Sequence, residues 1–426
     1  MSFHSSLSLR IVQTCVLAVC MVGHIAYADQ LGSGVEGLLA YAKEKSPELA
    51  SMRLDADAAS ARTGAAGALP DPMFTVELMN FNNYGNDASA SLLPSKVGET
   101  KYTLKQSFPL WGKRDLQRNQ AAEDAKQASL RASATWLELA TKIKGSYLQY
   151  YAAVGNEKIT KEVIDLTVRM EKLAQARYAG GLAAQQDAIR AQLEQTEMRS
   201  ELIMLQSESR QARARLNALL ARSVSAPLAE PRDLRPLPSL SVDDLDRLVS
   251  QAKVNSPSLG AEEAKLRSTE LSRDMTWRNR YPDLEIGISP TQMGNRITEW
   301  SLMFGINIPL QQSARRAQEK EALAMVEAQR ARTEAVGADL LGQLGENLSA
   351  FDAARKTEQL MSRQLIPQSE LAFQSALAAY ETGRVDFGTL LDAQKQIRKV
   401  RADRLRAQVE AQMRFAEIER IVGEDL

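Results

Sequence analysis

The sequence predicts a mainly α-helical fold with a small β part, in which one structural plan is built twice. Three observations predict it. Tyr178-Ala179-Gly180-Gly181 and Tyr380-Glu381-Thr382-Gly383 each begin a segment that reads Tyr-x-x-Gly, ten residues, then Gln preceded by Ala (Gln192 and Gln394). The two segments stand 202 positions apart with no gap, which marks an internal duplication. A very long stretch of helical periodicity leads into each segment, and each half also carries two stretches of period two.

In chain order, residues 1–28 hold one charge, Arg10, and no acid; an apolar run from about Ile11 to Ala26 leads to Ala26-Tyr27-Ala28 before Asp29. This is the pattern of a secretory signal with an A-x-A cleavage site, too short and too interrupted by Gln13 and Thr14 to span a membrane. A lipoprotein signal ending at Cys20 is the rival reading, and Val19 fits poorly before such a cysteine. Both cysteines (Cys15, Cys20) and both histidines (His4, His24) lie in this segment. Cleavage after Ala28 leaves no residue for a Cys or His nucleophile, a Ser-His-Asp triad, a zinc site or a disulfide. Loss of Arg10 turns 53 cations against 53 acids into 52 against 53, so no basic excess points to nucleic acid. No catalytic residue, cofactor site or metal site is expected, and the chain does not read as an enzyme.

Residues 29–221 form the first repeat and 242–426 the second. Each opens on an Ala-rich helix, from about Val35 to Ala68 and from about Val242 to Arg280. The two align as Ala42-Lys43-x-x-Ser46-Pro47-x-Leu49 and Ala252-Lys253-x-x-Ser256-Pro257-x-Leu259. Serine before proline suits an N-cap followed by a first-turn proline at a helix–helix junction. Both helices end at Pro-Asp (Pro70-Asp71, Pro282-Asp283), after which the period becomes two. Phe74, Val76 and Leu78, then Tyr102 and Leu104 up to Phe108, are the apolar positions of the first strand pair. Leu284, Ile286 and Ile288, then Trp300, Leu302, Phe304, Ile306 and Ile308, are those of the second, with polar loops expected at about 80–98 and 290–298. A half-buried soluble sheet would alternate in the same way. A membrane barrel accounts better for an exported chain with no other apolar core to cover these strands. Four strands cannot close a barrel, which takes about eight, so several chains would have to share it.

From Pro109 to Tyr178, and from Pro309 to Tyr380, a helical pattern runs over roughly 65 residues, a rod near 100 Å at about 1.5 Å per residue. Ile159, Val163, Leu166, Met170 and Leu173 form a coiled-coil seam, as do Leu341, Leu344, Leu348 and Phe351. Pro367 should kink the second rod or mark a break in it. Shorter helices return from about Asp187 to Ala221 and from Thr389 to Val422. Four prolines between Pro227 and Pro238 make 222–241 an extended connector, and Ser241-Val242-Asp243-Asp244 restarts a helix with a capping-box pattern.

Taken together, the signal, the duplicated plan, Phe108-Pro109-Leu110-Trp111-Gly112-Lys113-Arg114 and the paired turns resemble the TolC family of outer-membrane efflux channels over essentially the whole mature chain. The resemblance implies a homotrimer: a helical coiled-coil barrel forming a periplasmic tunnel, plus a transmembrane β-barrel to which each of three protomers gives four strands. It implies an outer-membrane channel-tunnel of a tripartite efflux system in a Gram-negative bacterium, in contact with outer-membrane lipid, a periplasmic adaptor and an inner-membrane pump of the RND type. Gly181, Leu182, Ala183, Gly383, Arg384 and Val385 match the tip that meets the adaptor. Tyr380 and Asp187 match a network that holds the tip closed; the family's arginine falls at Val385 here, with Arg384 one residue away. Asp392 matches one of two acids that ring the pore, Thr389 stands at the other, and Asp386 lies nearby to compensate. Leu69-Pro70-Asp71-Pro72 and the Trp111-Gly112-Lys113 stretch look like the heavy-metal branch of the family. Met73, Met79 and Met303 read as ordinary barrel residues sooner than as soft metal ligands. The alternative is a non-pore periplasmic adaptor or coiled-coil scaffold, which would not need amphipathic strands.

Overall fold

The computed structural model describes residues 31–82, 89–232 and 234–426; the expected export signal over 1–28 lies outside them. The described elements follow in the order α1 (Val35–Lys45), α2 (Pro47–Ala66), β1 (Met73–Met79), β2 (Glu99–Phe108), α3 (Lys113–Ala179) and α4 (Gln185–Leu219). A 3-10 turn (Val242–Asp244) then leads into α5 (Leu245–Asn255), α6 (Pro257–Arg278), β3 (Leu284–Met293), β4 (Arg296–Ile306) and α7 (Gln312–Leu360). A π-helical turn (Met361–Leu365), α8 (Ile366–Glu381) and α9 (Phe387–Val422) complete the chain. The same plan is visible in each half. Two compact units arise from it, one of residues 52–132 and 257–338, the other of residues up to 51, 133–256 and 339–426. None of the described helices is long and apolar enough to cross a membrane.

The first unit holds the sheet, in the order β1-β2-β3-β4 with every neighbour antiparallel. Facing pairs Phe74–Leu104, Leu104–Ile288 and Ile288–Leu302 draw one apolar row across all four strands. Their exposures of 63, 48, 44 and 63 % show that none of the described residues covers that face. The opposite face is polar. Thr103 and Ser289 hydroxyls meet at 2.9 Å, and Lys105 pairs with Glu285 at 3.0 Å. The expected polar loop at 290–298 is not a loop. β3 runs on to Met293 and β4 starts at Arg296, since ladder hydrogen bonds depend on backbone pairing and not on side-chain polarity. The reversal falls on Gly294, whose φ of 60° suits a two-residue hairpin turn.

Motifs flanking the strands meet at the base of the sheet. Lys113 donates to Asp283 at 2.8 Å and to the Tyr281 carbonyl at 2.9 Å, and the Trp111 indole donates to the Pro282 carbonyl at 2.9 Å. This is why Trp111-Gly112-Lys113 and Tyr281-Pro282-Asp283 occur where they do: each closes off the end of the other's strand. Nearby helical segments of this unit touch through small and polar residues, with Ala261 and Ala264 buried and Arg267 paired to Glu123 at 3.0 Å.

Helices and the connector make up the second unit. One cluster gathers Leu38 and Ala42 of α1, Leu139, Ile143 and Tyr147 of α3, and Leu216 of α4, with Leu228 of the connector. The connector is strapped down: Ala229 and Arg232 N–H groups reach the Leu31 and Ser33 carbonyls at 2.9 and 3.1 Å. Arg235 pairs with Glu419 of α9 at 2.6 Å, and Glu419 also takes Lys144 of α3 at 2.7 Å; the Glu419 side chain is only 3 % exposed. The fully buried line on α3 is Thr160, Val163, Thr167, Met170 and Ala174, still at coiled-coil spacing, while Ile159, Leu166 and Leu173 of the expected seam are half-buried beside it. In the second half Leu344, Leu348 and Phe351 are buried as expected. At Pro367 the rod passes through the π-helical turn just before it. Proline removes one donor and crowds the preceding turn, and a widened turn is one way a helix absorbs both.

Candidate functional site

Both turns are built by the same bonds. At the end of α3 the Gly181 N–H reaches the Tyr178 carbonyl at 2.9 Å and the Leu182 N–H the Arg177 carbonyl at 2.8 Å. At the end of α8 the Gly383 N–H reaches the Tyr380 carbonyl at 3.0 Å and the Arg384 N–H the Ala379 carbonyl at 2.8 Å. Gly181 and Gly383 adopt φ of 71° and 73°, a left-handed conformation in which a side chain would be strained. The offset of 202 therefore carries over from sequence to hydrogen bonding. Beyond the turns the repeats diverge. Asp386 caps α9, accepting from the Thr389 N–H and hydroxyl, each at 2.8 Å, whereas its counterpart Ala184 gives α4 no side-chain cap. These donors hold the Asp386 carboxyl below its ordinary value, and Arg190 adds to the effect.

A hydrophobic cluster braces the two turns from within: Met170, Ala174, Ala191, Phe373, Tyr380, Phe387, Leu390 and Ile397. Tyr380 is 2 % exposed, and its ring meets Phe387 edge-on at 5.5 Å. Its hydroxyl leaves the apolar cluster to donate to Asp187 at 3.1 Å. Burial, followed by the Asp187 charge and that hydrogen bond, pushes the Tyr380 phenol up to about 12. Arg177 acts the other way on it.

The structure brings Tyr380 and Asp187 together and does not bring Arg384 to them. Arg384 is exposed. Arg177 of α3 lies over the Tyr380 ring instead, 4.9 Å from its centre. Its guanidinium also donates to the Leu182 carbonyl at 3.1 Å and to the carbonyls of Tyr380 and Glu381. Sequence reasoning passed over Arg177; the available signal was that its counterpart in the second repeat, Ala379, is not a cation. Of the remaining tip positions, Leu182 is 70 % exposed, Gly181 and Gly383 are exposed, Ala183 is half-buried, and Val385 packs on the edge of the cluster. Asp392 and Asp386 are exposed on α9 and at its cap. Among the described residues, no group of three or more His, Cys, Asp or Glu side chains is placed to hold a metal ion.

A buried tyrosine bonded to a carboxylate and an arginine over its ring join the two turns, whose outer residues Gly181, Leu182, Gly383 and Arg384 are exposed. The sequence pattern of the family described as "Outer membrane efflux protein" matches residues 38–222 and 248–424, one match per repeat. The cobalt-zinc-cadmium resistance protein CzcC of Cupriavidus metallidurans is 25 % identical over 331 residues, covering 75 % of this chain and 77 % of that protein. Two similar solved structures are the outer membrane protein VceC of Vibrio cholerae and CusC, the latter solved in connection with transmembrane channel formation. Each has a TM-score of 0.77 and spans 92 % of this chain, with 96 and 92 % of their own lengths covered and identities of 16 and 17 %. At those identities the likeness is one of fold.

Proposed function

Because this chain belongs to the outer membrane efflux protein family, we propose that three copies form the outer-membrane channel of a tripartite export system. The observation that carries this reading is the apolar face, uncovered among the described residues, of a four-stranded sheet whose edge strands, β1 and β4, each lack a neighbour on one side among those residues. Twelve strands from three chains would pair those edges and turn the apolar face to lipid. A non-pore adaptor or scaffold would have no use for such a face. The helical tip around Tyr380, Asp187 and Arg177 is the closed gate on the periplasmic side. Exposed Gly181, Leu182, Gly383 and Arg384 are the surface offered to a periplasmic adaptor, which links the channel to an inner-membrane pump.

The cargo we assign is metal cations, because the curated relative at 25 % identity is named for cobalt, zinc and cadmium resistance. Exposed Asp392 supports cation passage: three copies around an axis would attract cations and disfavour anions. The test is blockage of the reconstituted channel by a multivalent cation added on the gate side. Asp392→Ala should shift the blocking concentration upward by roughly tenfold, as expected for about 1.4 kcal/mol of lost attraction. An unchanged blockage curve removes Asp392 from the pore.

A further inference from the structure

We propose that the polar face of the sheet carries a set of thioether ligands for soft metal cations. This rests on the barrel proposed above, in which that face lines the lumen, and it narrows the metal cargo to a chemical class.

The two faces of the sheet sort their apolar side chains by type. Every aromatic and branched aliphatic residue of the four strands shares the face of Phe74, Leu104, Ile288 and Leu302. All the methionines of the strands stand on the other face: Met73 opposite Lys105, Met79 opposite Glu99, Met293 opposite Arg296 and Met303 opposite Gly287. A Cβ built on Gly287 would stand 3.0 Å from the Met303 methyl, so the missing side chain is what lets that thioether lie along the face. Met73, Met293 and Met303 are 60, 49 and 39 % exposed. A single methionine in water needs no explanation. The sorting does, because a thioether is apolar and yet the strands place none among the side chains turned to lipid.

On a wetted face a thioether offers a polarisable sulfur lone pair, which selects soft cations such as copper(I) or silver(I) over hard ones. Carboxylates supply the general attraction. Lys105 is paired to Glu285 and Lys101 faces Glu77, which leaves Glu99 and Glu299 against Arg296 on that face. Met73 and Met79 lie on edge strand β1 and Met303 on edge strand β4. Each seam of a trimer would therefore bring thioethers of two chains to adjacent strands. Such scattered, individually weak sites let a cation both enter a pore and leave it.

The test uses the full chain in lipid nanodiscs, with isotope-labelled methionine methyl groups read by NMR. Silver(I) in chloride-free buffer is the probe and magnesium(II) the hard comparison. Water-soluble and lipid-borne paramagnetic reagents report which side each methyl faces. The methyls of Met73, Met79, Met293 and Met303 should meet the water-soluble reagent. They should shift with silver(I) at concentrations roughly tenfold below those that move Met204 and Met325, which are 64 and 56 % exposed on α4 and α7. Magnesium(II) should move none of them at those concentrations. If Met204 and Met325 shift together with the sheet methionines, silver(I) reads exposure alone and the inference is wrong. It is equally wrong if the sheet methionines meet the water-soluble reagent and ignore silver(I), an outcome that leaves the barrel standing. If the lipid-borne reagent reaches the sheet methionines instead, the barrel reading fails and takes the inference with it.

Discussion

Tyr380 makes the gate sensitive to alkali in a way that can be worked out from its surroundings. Its phenol is buried, donates to Asp187 at 3.1 Å, and is pushed from an ordinary 10.0 up to about 12. A raised value means that the closed tip favours the protonated ring. The stabilisation is thus complete below pH 10, fades as pH rises from 10 to 12, and is gone above 12. A displacement of that size corresponds to roughly 3 kcal/mol at about 1.4 kcal/mol per pKa unit, or on the order of a hundredfold in the closed-to-open ratio. The assay is the open fraction of reconstituted channels from neutral pH to pH 12, with tyrosinate absorbance followed in parallel. Other tyrosines and lysines titrate in the same range, so the decisive quantity is the difference between the wild type and Tyr380→Phe. The variant should start more open and lose the rise between pH 10 and 12. Superimposable profiles, or a Tyr380 that ionises at its ordinary value, would refute the reasoning.

Three further outcomes are expected. Glu419→Gln removes the buried carboxylate that Lys144 and Arg235 share and leaves them only the exposed Asp425, at 3.4 and 4.0 Å, so it should cost about 2–3 kcal/mol in denaturant unfolding of the detergent-solubilised protein; a loss under about 1 kcal/mol would mean that Asp425 and water already compensate. Gln394 is fully buried, and neither amide atom has a hydrogen-bond partner among the described residues. Gln394→Met should therefore be neutral or stabilising by about 1 kcal/mol, and a clear destabilisation would show that the amide is satisfied. Phe304 is 68 % exposed on the apolar face of the sheet, so Phe304→Arg should reduce the membrane-inserted fraction through a penalty of about 2–4 kcal/mol, and undiminished insertion would remove that face from lipid.

What the sequence disclosed and what it hid follow from the range of the interactions involved. Strand alternation at Phe74, Leu104, Ile288 and Leu302 could be read directly, since period two is a local property that survives even on a face that no described residue covers. Gly181 and Gly383 could be read for the same reason, because a left-handed helix end restricts the residue type within a few positions. The breaks at Ser46 and Ser256 announced themselves through the proline that follows each. The length of β3 and β4 could not be read, because polar Thr291, Gln292 and Arg296 look like loop residues while their backbones still pair. Nor was it visible which of two adjacent apolar lines on α3 is fully buried, since that choice is made by the opposing helices. Arg177 was the largest omission. Its partners, apart from the Leu182 carbonyl, lie in another repeat, and backbone carbonyls leave no mark on the identity of the residues that carry them.

Single-channel recording on the purified protein, with its mass measured in the same detergent, tests the central claim most directly. The account predicts a trimer that gives discrete, cation-selective openings, rare at neutral pH and frequent once Tyr380→Phe and Arg177→Ala are combined. A chain that remains monomeric and never inserts, or a trimer that stays silent even with both substitutions, would contradict it.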